Sequence, residues 1–159
     1  MSGEEAAALI QPGNQIGMSG FTGSGYPKAV PMALARRVTE AHLRSETFKV
    51  NVFTGASTGP ELDGALAMAG AMQLRMPYQS DPITRKLINA GEMQYIDLHL
   101  SHVAQLVEYG FLGKLDLAII EVTAILEDGR VIPSTSLGNN QTWIDCADKV
   151  ILEVNSVIA

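Results

Sequence analysis

The chain has 159 residues, 47% of them apolar and 18% charged, enough for one domain with a proper core and too few for two ordinary ones. Its formal net charge of −6, with 11 Lys and Arg scattered along the chain, argues against a nucleic-acid partner, because phosphate backbones reward clustered basic residues. No apolar run approaches the roughly 20 residues that span a bilayer; the first residues, Met1 to Leu9, lack a basic signal region, and the single cysteine, Cys146, allows no internal disulfide. These features fit a reducing cytoplasm and no membrane partner.

Short apolar runs alternate with helical segments, which predicts an α/β fold built on an open, mainly parallel sheet with helices on both faces. In chain order the expected elements are a helix over 4–10, a strand over 15–19, a helix over 28–45 and a strand over 48–53. A helix over 60–69, a strand over 72–76, a helix over 81–89 and a strand over 94–97 follow. The series ends with a helix over 102–109, a strand over 115–122, a helix over 141–147 and a strand over 150–154. Pro27, Pro31 and Pro60 suit first-turn positions, where a missing N–H costs little, and Gly91 and Gly110 stop the helices before them. Glu127-Asp128-Gly129-Arg130, between Ala124-Ile125-Leu126 and Val131-Ile132, reads as a hairpin turn and adds a local antiparallel excursion. The strand-like segment at the end of the chain suggests truncation of a longer polypeptide.

The most informative segment is Gly20-Phe21-Thr22-Gly23-Ser24-Gly25-Tyr26-Pro27-Lys28, which joins an apolar strand to a long helix. Three glycines there let backbone N–H groups approach an anion, and the helix N-terminus behind them adds partial positive charge, so a phosphate, carboxylate or oxyanion is the natural guest. A tight structural connection is the alternative reading of the same glycines. The spacing Gly20, Gly23, Gly25 is not that of a dinucleotide fingerprint. Behind the loop, Arg36, Arg37 and Arg44 read as the solvated face of a helix, and Lys28 alone has a claim to ligand contact.

A second small-residue turn, Thr54-Gly55-Ala56-Ser57-Thr58-Gly59, offers hydroxyls that either cap the next helix or reach a ligand. In Tyr78-Gln79-Ser80-Asp81, Ser80 or Asp81 can cap the helix that begins near Pro82. Asn139, Asn140, Gln141 and Thr142 bring a dense set of amides and hydroxyls before another helix. Among carboxylates, Glu121 reads as a hydrogen-bonded strand-end group or a ligand contact, and Glu127 as part of the Asp-Gly hairpin or, less simply, a nucleophile. His99 and His102, with Asp97 nearby, have no third and fourth metal ligands in their neighbourhood, so no metal is expected, and Met68, Met72 and Met76 fill core space.

Taken with Phe53 to Pro60, Ser136 to Thr142 and Ile88-Asn89-Ala90-Gly91-Glu92, the glycine loop closely resembles the amino-terminal half of the acetyl-CoA hydrolase/transferase family, which belongs to the class I coenzyme A transferases. The resemblance implies one CoA-transferase-like domain over 1–159 and a missing carboxyl-terminal half that carries the nucleophilic glutamate. No catalytic residue is therefore expected in this chain. It implies CoA exchange between a short acyl-CoA, such as acetyl-CoA or succinyl-CoA, and a carboxylate through a glutamyl-CoA intermediate, with no prosthetic group or metal. Family members generally form homodimers, so a homo-oligomer is expected. By the same resemblance, Gly20, Phe21, Thr22, Gly23, Ser24, Gly25 and Lys28 line the CoA or substrate site, with Thr54, Gly55, Ser57, Ser80, Asn139, Asn140 and Gln141 beside them. Acyl-CoA hydrolysis and a non-catalytic CoA-binding or assembly module are the alternatives.

Overall fold

A computed structural model of the chain describes residues 1–157. Helix α1, Gly3–Ala8, opens with a capping box in which Ser2 and Glu5 satisfy each other's backbone N–H, and strand β1, Gln15–Met18, follows. Next come α2, Ala29–Leu43, and β2, Val50–Phe53. A π-helical turn over Pro60–Gly64 runs into α3, Ala65–Met68, and then β3, Met72–Met76. Helix α4, Pro82–Asn89, precedes the short β4, Gln94–Tyr95, and α5, Leu100–Glu108. The long β5, Leu115–Ile125, turns into β6, Val131–Pro133, and the described elements end with α6, Asn140–Cys146, and β7, Ala147–Val154.

The sheet runs β4-β3-β2-β1-β5, with β6 and β7 also paired to β5. Every pairing is parallel except that of β5 with β6. Strands β1 and β7 pair with overlapping residues of β5 and so flank it on opposite edges. Side chains alternate between the two faces. Ile16 and Met18 of β1, Val50 and Val52 of β2, and Leu117 and Ile119 of β5 meet α1, α2 and α3 in one core; Phe53, Ala118, Ile120 and Val122 meet Val103, Val107 and Trp143 of α5 and α6 in the other. The expected α/β sheet with helices on both faces is therefore the observed one.

The differences from expectation lie at element ends. Strand β2 begins at Val50, with the Lys49 carbonyl taken by Gly13 N–H in a loop contact, and Lys28 occupies the N-cap position of α2, so Pro27 stands outside its first turn. Helix α5 starts at Leu100, two residues early. Strand β7 starts at Ala147, where the backbone turns extended directly after α6; the polar Asp148 and Lys149 hide that start in the sequence. The Asp-Gly hairpin is present, with Leu126 N–H donating to the Arg130 carbonyl at 2.8 Å and Gly129 at φ 84°.

Candidate functional site

Because β1, β2, β3 and β5 are parallel, the loops after β1, β2 and β3 leave from one rim of the sheet, and the 134–139 segment before α6 joins them there. The turns meet at their glycines. A Cβ at Gly55 would lie 2.7 Å from the Gly20 carbonyl oxygen, so only bare backbone lets the first two turns approach this closely, and it would touch Gly138 Cα at 3.6 Å, where the third turn packs in ordinary contact. Cross-loop bonds tie them further: Gly23 N–H donates to the Ser57 carbonyl at 3.4 Å, Ser24 Oγ to Thr135 Oγ1 at 2.7 Å, and Ser136 Oγ to the Ser24 carbonyl at 3.0 Å. Phe21 and Ser24 exchange two backbone bonds across Thr22 and Gly23, whose φ values are 47° and 80°. A β-branched residue at positive φ is a strained conformation, held here by the surrounding loop.

The N-terminus of α2 is filled from within the chain. Glu153 of β7 accepts from Lys28 N–H and Ala29 N–H through Oε1, at 2.6 and 3.0 Å, and from Val30 N–H through Oε2 at 3.0 Å. The anion anticipated at this helix end is thus a carboxylate of the protein's own, which corrects the expectation of a ligand there. Lys28 Nζ donates to Glu121 Oε2 at 2.7 Å and to the Tyr26 carbonyl at 2.9 Å, and lies 4.3 Å from the Tyr26 ring centroid. Glu121, fully buried in β5, also accepts from Asn155 Nδ2 at 3.2 Å, while its Oε1 has no partner among the described residues. The Tyr26 hydroxyl donates to Glu61 at 2.6 Å; burial first, then this bond, pushes the phenol well above its ordinary range, and the same bond holds the Glu61 carboxyl low.

The remaining sequence-predicted residues divide into internal and outward-facing groups. Thr54 Oγ1 accepts from Arg75 and donates to the Ala56 carbonyl, and Ser57 Oγ donates to Gln79 Oε1 at 2.6 Å. Ser80 is exposed, and Asp81 rather than Ser80 caps α4, accepting from Thr84 N–H at 2.8 Å. Asn139 is the N-cap residue of α6 without a side-chain bond; Asn140 is buried and donates to the Ser136 carbonyl at 3.2 Å, leaving its Oδ1 unpartnered. Gln141 is exposed and turned along its own helix to Asp145 at 2.8 Å. Phe21, Thr22 and Gly23 are exposed at the mouth of the rim, and Ser24 is half-buried. Glu127 sits exposed in the hairpin, and the rings of His99 and His102 meet at a 42° tilt with centroids 5.4 Å apart.

Sequence reading missed a buried ion pair beneath the second turn. Arg75 of β3 and Asp63 of the π-helical turn are both completely buried, with Nε to Oδ1 at 2.8 Å and Nη2 to Oδ2 at 3.1 Å. Asp63 Oδ2 also accepts from Thr58 N–H and Thr58 Oγ1, each at 2.7 Å, and Arg75 Nη2 donates to Thr54 Oγ1 at 2.8 Å and the Ala56 carbonyl at 3.2 Å. The available signal was one charge inside each of two apolar runs, Met72 to Met76 and Leu62 to Leu66.

Comparison with known proteins gives the family and the fold. The chain is 48% identical over 155 residues to a succinyl-CoA:acetate CoA-transferase of Clostridium kluyveri, covering 98% of this chain and 28% of that protein. It is 42% identical over 160 residues to an acetyl-CoA hydrolase of Kluyveromyces lactis, covering 96% and 30%. It therefore spans less than a third of the length of these relatives. The solved glutaconate coenzyme A-transferase of Acidaminococcus fermentans shares the fold, with a TM-score of 0.73 at 14% identity over 96% of this chain and 68% of that one. Residues 1–158 match the family described as the acetyl-CoA hydrolase/transferase N-terminal domain, and the chain belongs to that family.

Proposed function

We propose that this chain is the amino-terminal domain of an enzyme that moves coenzyme A between a short acyl-CoA, of the acetyl or succinyl class, and a carboxylate acceptor. The observation that carries the reading is the meeting of the 20–25, 54–59 and 134–139 turns at Gly20, Gly55 and Gly138 on one sheet rim. In the proposed reaction a glutamate from the remaining polypeptide attacks the thioester carbonyl, the C–S bond breaks and CoA leaves as the thiolate. That thiolate attacks the glutamyl carbonyl of the resulting anhydride, releases the first carboxylate and leaves a glutamyl-CoA thioester. An acceptor carboxylate then reverses both steps. The role of this domain is to bind and orient: backbone donors of the turns receive carbonyl or carboxylate oxygens, and Phe21 and Lys28 border the bound thioester. Such an enzyme acts in the cytoplasm as a homo-oligomer and needs no prosthetic group.

A hydrolase reading, in which water takes the place of the acceptor, is supported by the acetyl-CoA hydrolase among the relatives. A chimera separates the possibilities. The Clostridium transferase with its matched segment replaced by this chain is expected to exchange succinyl-CoA with acetate at a kcat/KM within about tenfold of the parent, a barrier difference of about 1.4 kcal/mol. Thioester loss that ignores acetate favours hydrolysis, and a folded chimera that binds CoA without turnover favours a binding module. The isolated chain is expected to show no exchange; exchange by the chain alone overturns the view that its nucleophile lies elsewhere.

A further inference from the structure

Buried ion pairs are a poor source of stability, because two charges lose their hydration and an apolar pair of similar volume often holds two elements together as well. An apolar pair cannot, however, fix a hydroxyl, a carbonyl and an N–H in a turn. Asp63 and Arg75 do that at every available atom: between them they hold Thr54 Oγ1, the Ala56 carbonyl, Thr58 N–H and Thr58 Oγ1, and Arg75 also reaches the Met76 carbonyl at the end of β3. The 54–58 turn is therefore pinned at both ends and in the middle to β3 and the π-helical turn.

Between those fixed points, the N–H groups of Gly55, Ala56 and Ser57 meet no acceptor among the described residues, although all three residues are buried. Buried N–H groups without partners are rare. Gly55 lies against the Gly20 carbonyl, the Ser57 carbonyl accepts from Gly23 N–H of the same loop, and the unpartnered Gln79 Nε2 belongs to the side chain that holds Ser57.

We propose that Asp63 and Arg75 are positioning residues of the substrate site, whose ion pair fixes the 54–58 turn so that its free N–H groups receive an oxygen of the thioester or carboxylate. The proposal rests on the CoA-transfer reading above and adds a named seat for the ligand oxygen and the groups that preorganise it.

The test uses the full chain with acetyl-CoA as the probe. Arg75→Lys keeps a charge opposite Asp63 but loses the planar fork that reaches Thr54 and Ala56. Thr54→Val removes one bracing hydroxyl and leaves Arg75 paired with Asp63, so it keeps the fold should Arg75→Lys not. Val38→Ala, in the core under α2, is a destabilising control far from the rim. The expected result is amide hydrogen exchange at Ser57 and Thr58 faster by about tenfold or more in both turn variants, with the slowest core amides unchanged, and acetyl-CoA affinity about tenfold weaker. Val38→Ala is expected to speed the core amides and leave the affinity unchanged. Unchanged exchange at Ser57 and Thr58, or a loosened turn with wild-type affinity, overturns the positioning role while the functional reading stands. A wild-type chain that does not bind acetyl-CoA overturns the ligand seat and the functional reading together, and its exchange pattern still reports whether the pair braces the turn.

Discussion

Asp63 carries two opposed influences at one atom pair. Burial by itself raises its carboxyl pKa, but the Arg75 charge and hydrogen bonds, with the Thr58 N–H and hydroxyl, outweigh it and hold the group below its ordinary value of 3.8. A folded-state value below the unfolded one means that the carboxylate stabilises the fold fully above pH 3.8 and loses that contribution as pH falls through the folded value. Asp63→Asn leaves Arg75 buried opposite a neutral partner, and the expected loss at neutral pH is about 3–5 kcal/mol. Urea unfolding across pH checks the sign: the gap between wild type and Asp63→Asn should begin to narrow below pH 3.8, where the unfolded chain's carboxyl takes up its proton first, and close as pH falls through the lower folded value. A gap that stays constant into strong acid removes the ion pair as its origin. In the sequence, neither residue announces this role. Arg75 lies in Met72 to Met76 and looks like the polar member of a strand, because partners twelve residues apart across a turn leave no periodic trace. Gly55 was legible as a turn glycine, whereas its need for a bare Cα depends on the Gly20 carbonyl, which no local pattern reveals.

Helix α2 shows the same limit for a whole element. The strand, glycine loop and helix were readable in order, since apolar alternation gives way to helical spacing at Lys28. The tenant of the helix N-terminus was not, because Glu153 lies 125 residues from Lys28 in the chain and reaches it only once β7 has paired with β5. The carboxylate accepts three N–H groups at the positive end of a helix dipole, the role an N-cap side chain plays from within a helix. Lys28 itself supplies no capping oxygen, so nothing local replaces Glu153. Glu153→Ala is expected to cost about 1–2 kcal/mol, read by urea or thermal unfolding. Glu153→Gln should recover part of that loss, since its amide oxygen still accepts but the charge is gone. Wild-type stability in both variants would show that solvent serves the α2 terminus equally well. The hairpin was the easier element to read, because Asp128-Gly129 specifies it by turn chemistry alone.

At the scale of the molecule, the sheet is asymmetric. Strand β4 closes one side with two residues, whereas β7 runs for eight with its outer edge unpaired among the described residues. Parallel sheets normally bury both faces, and a long strand with free N–H and C=O groups is a template for pairing with another chain. Val150 and Val154 of β7 are 41% and 51% exposed, which adds apolar surface to that edge. Asp148 and Lys149 guard only its first half. The chain is therefore expected to self-associate, with a sedimentation coefficient that rises with concentration. Val154→Lys places a charge on the unguarded half, where pairing would have to desolvate it, and should shift the equilibrium toward monomer without disturbing the β5 ladder, which is made by backbone. Association that Val154→Lys leaves untouched points to a different surface, and a wild-type chain that stays monomeric at high concentration means that the edge is blunted by its own twist and charge. Val154→Lys separates edge pairing from general stickiness, because a nonspecific apolar contact would respond as much to a charge at Met68, which lies 76% exposed at the end of α3 and not in the core with Met72 and Met76 as its sequence suggested, as to one at Val154.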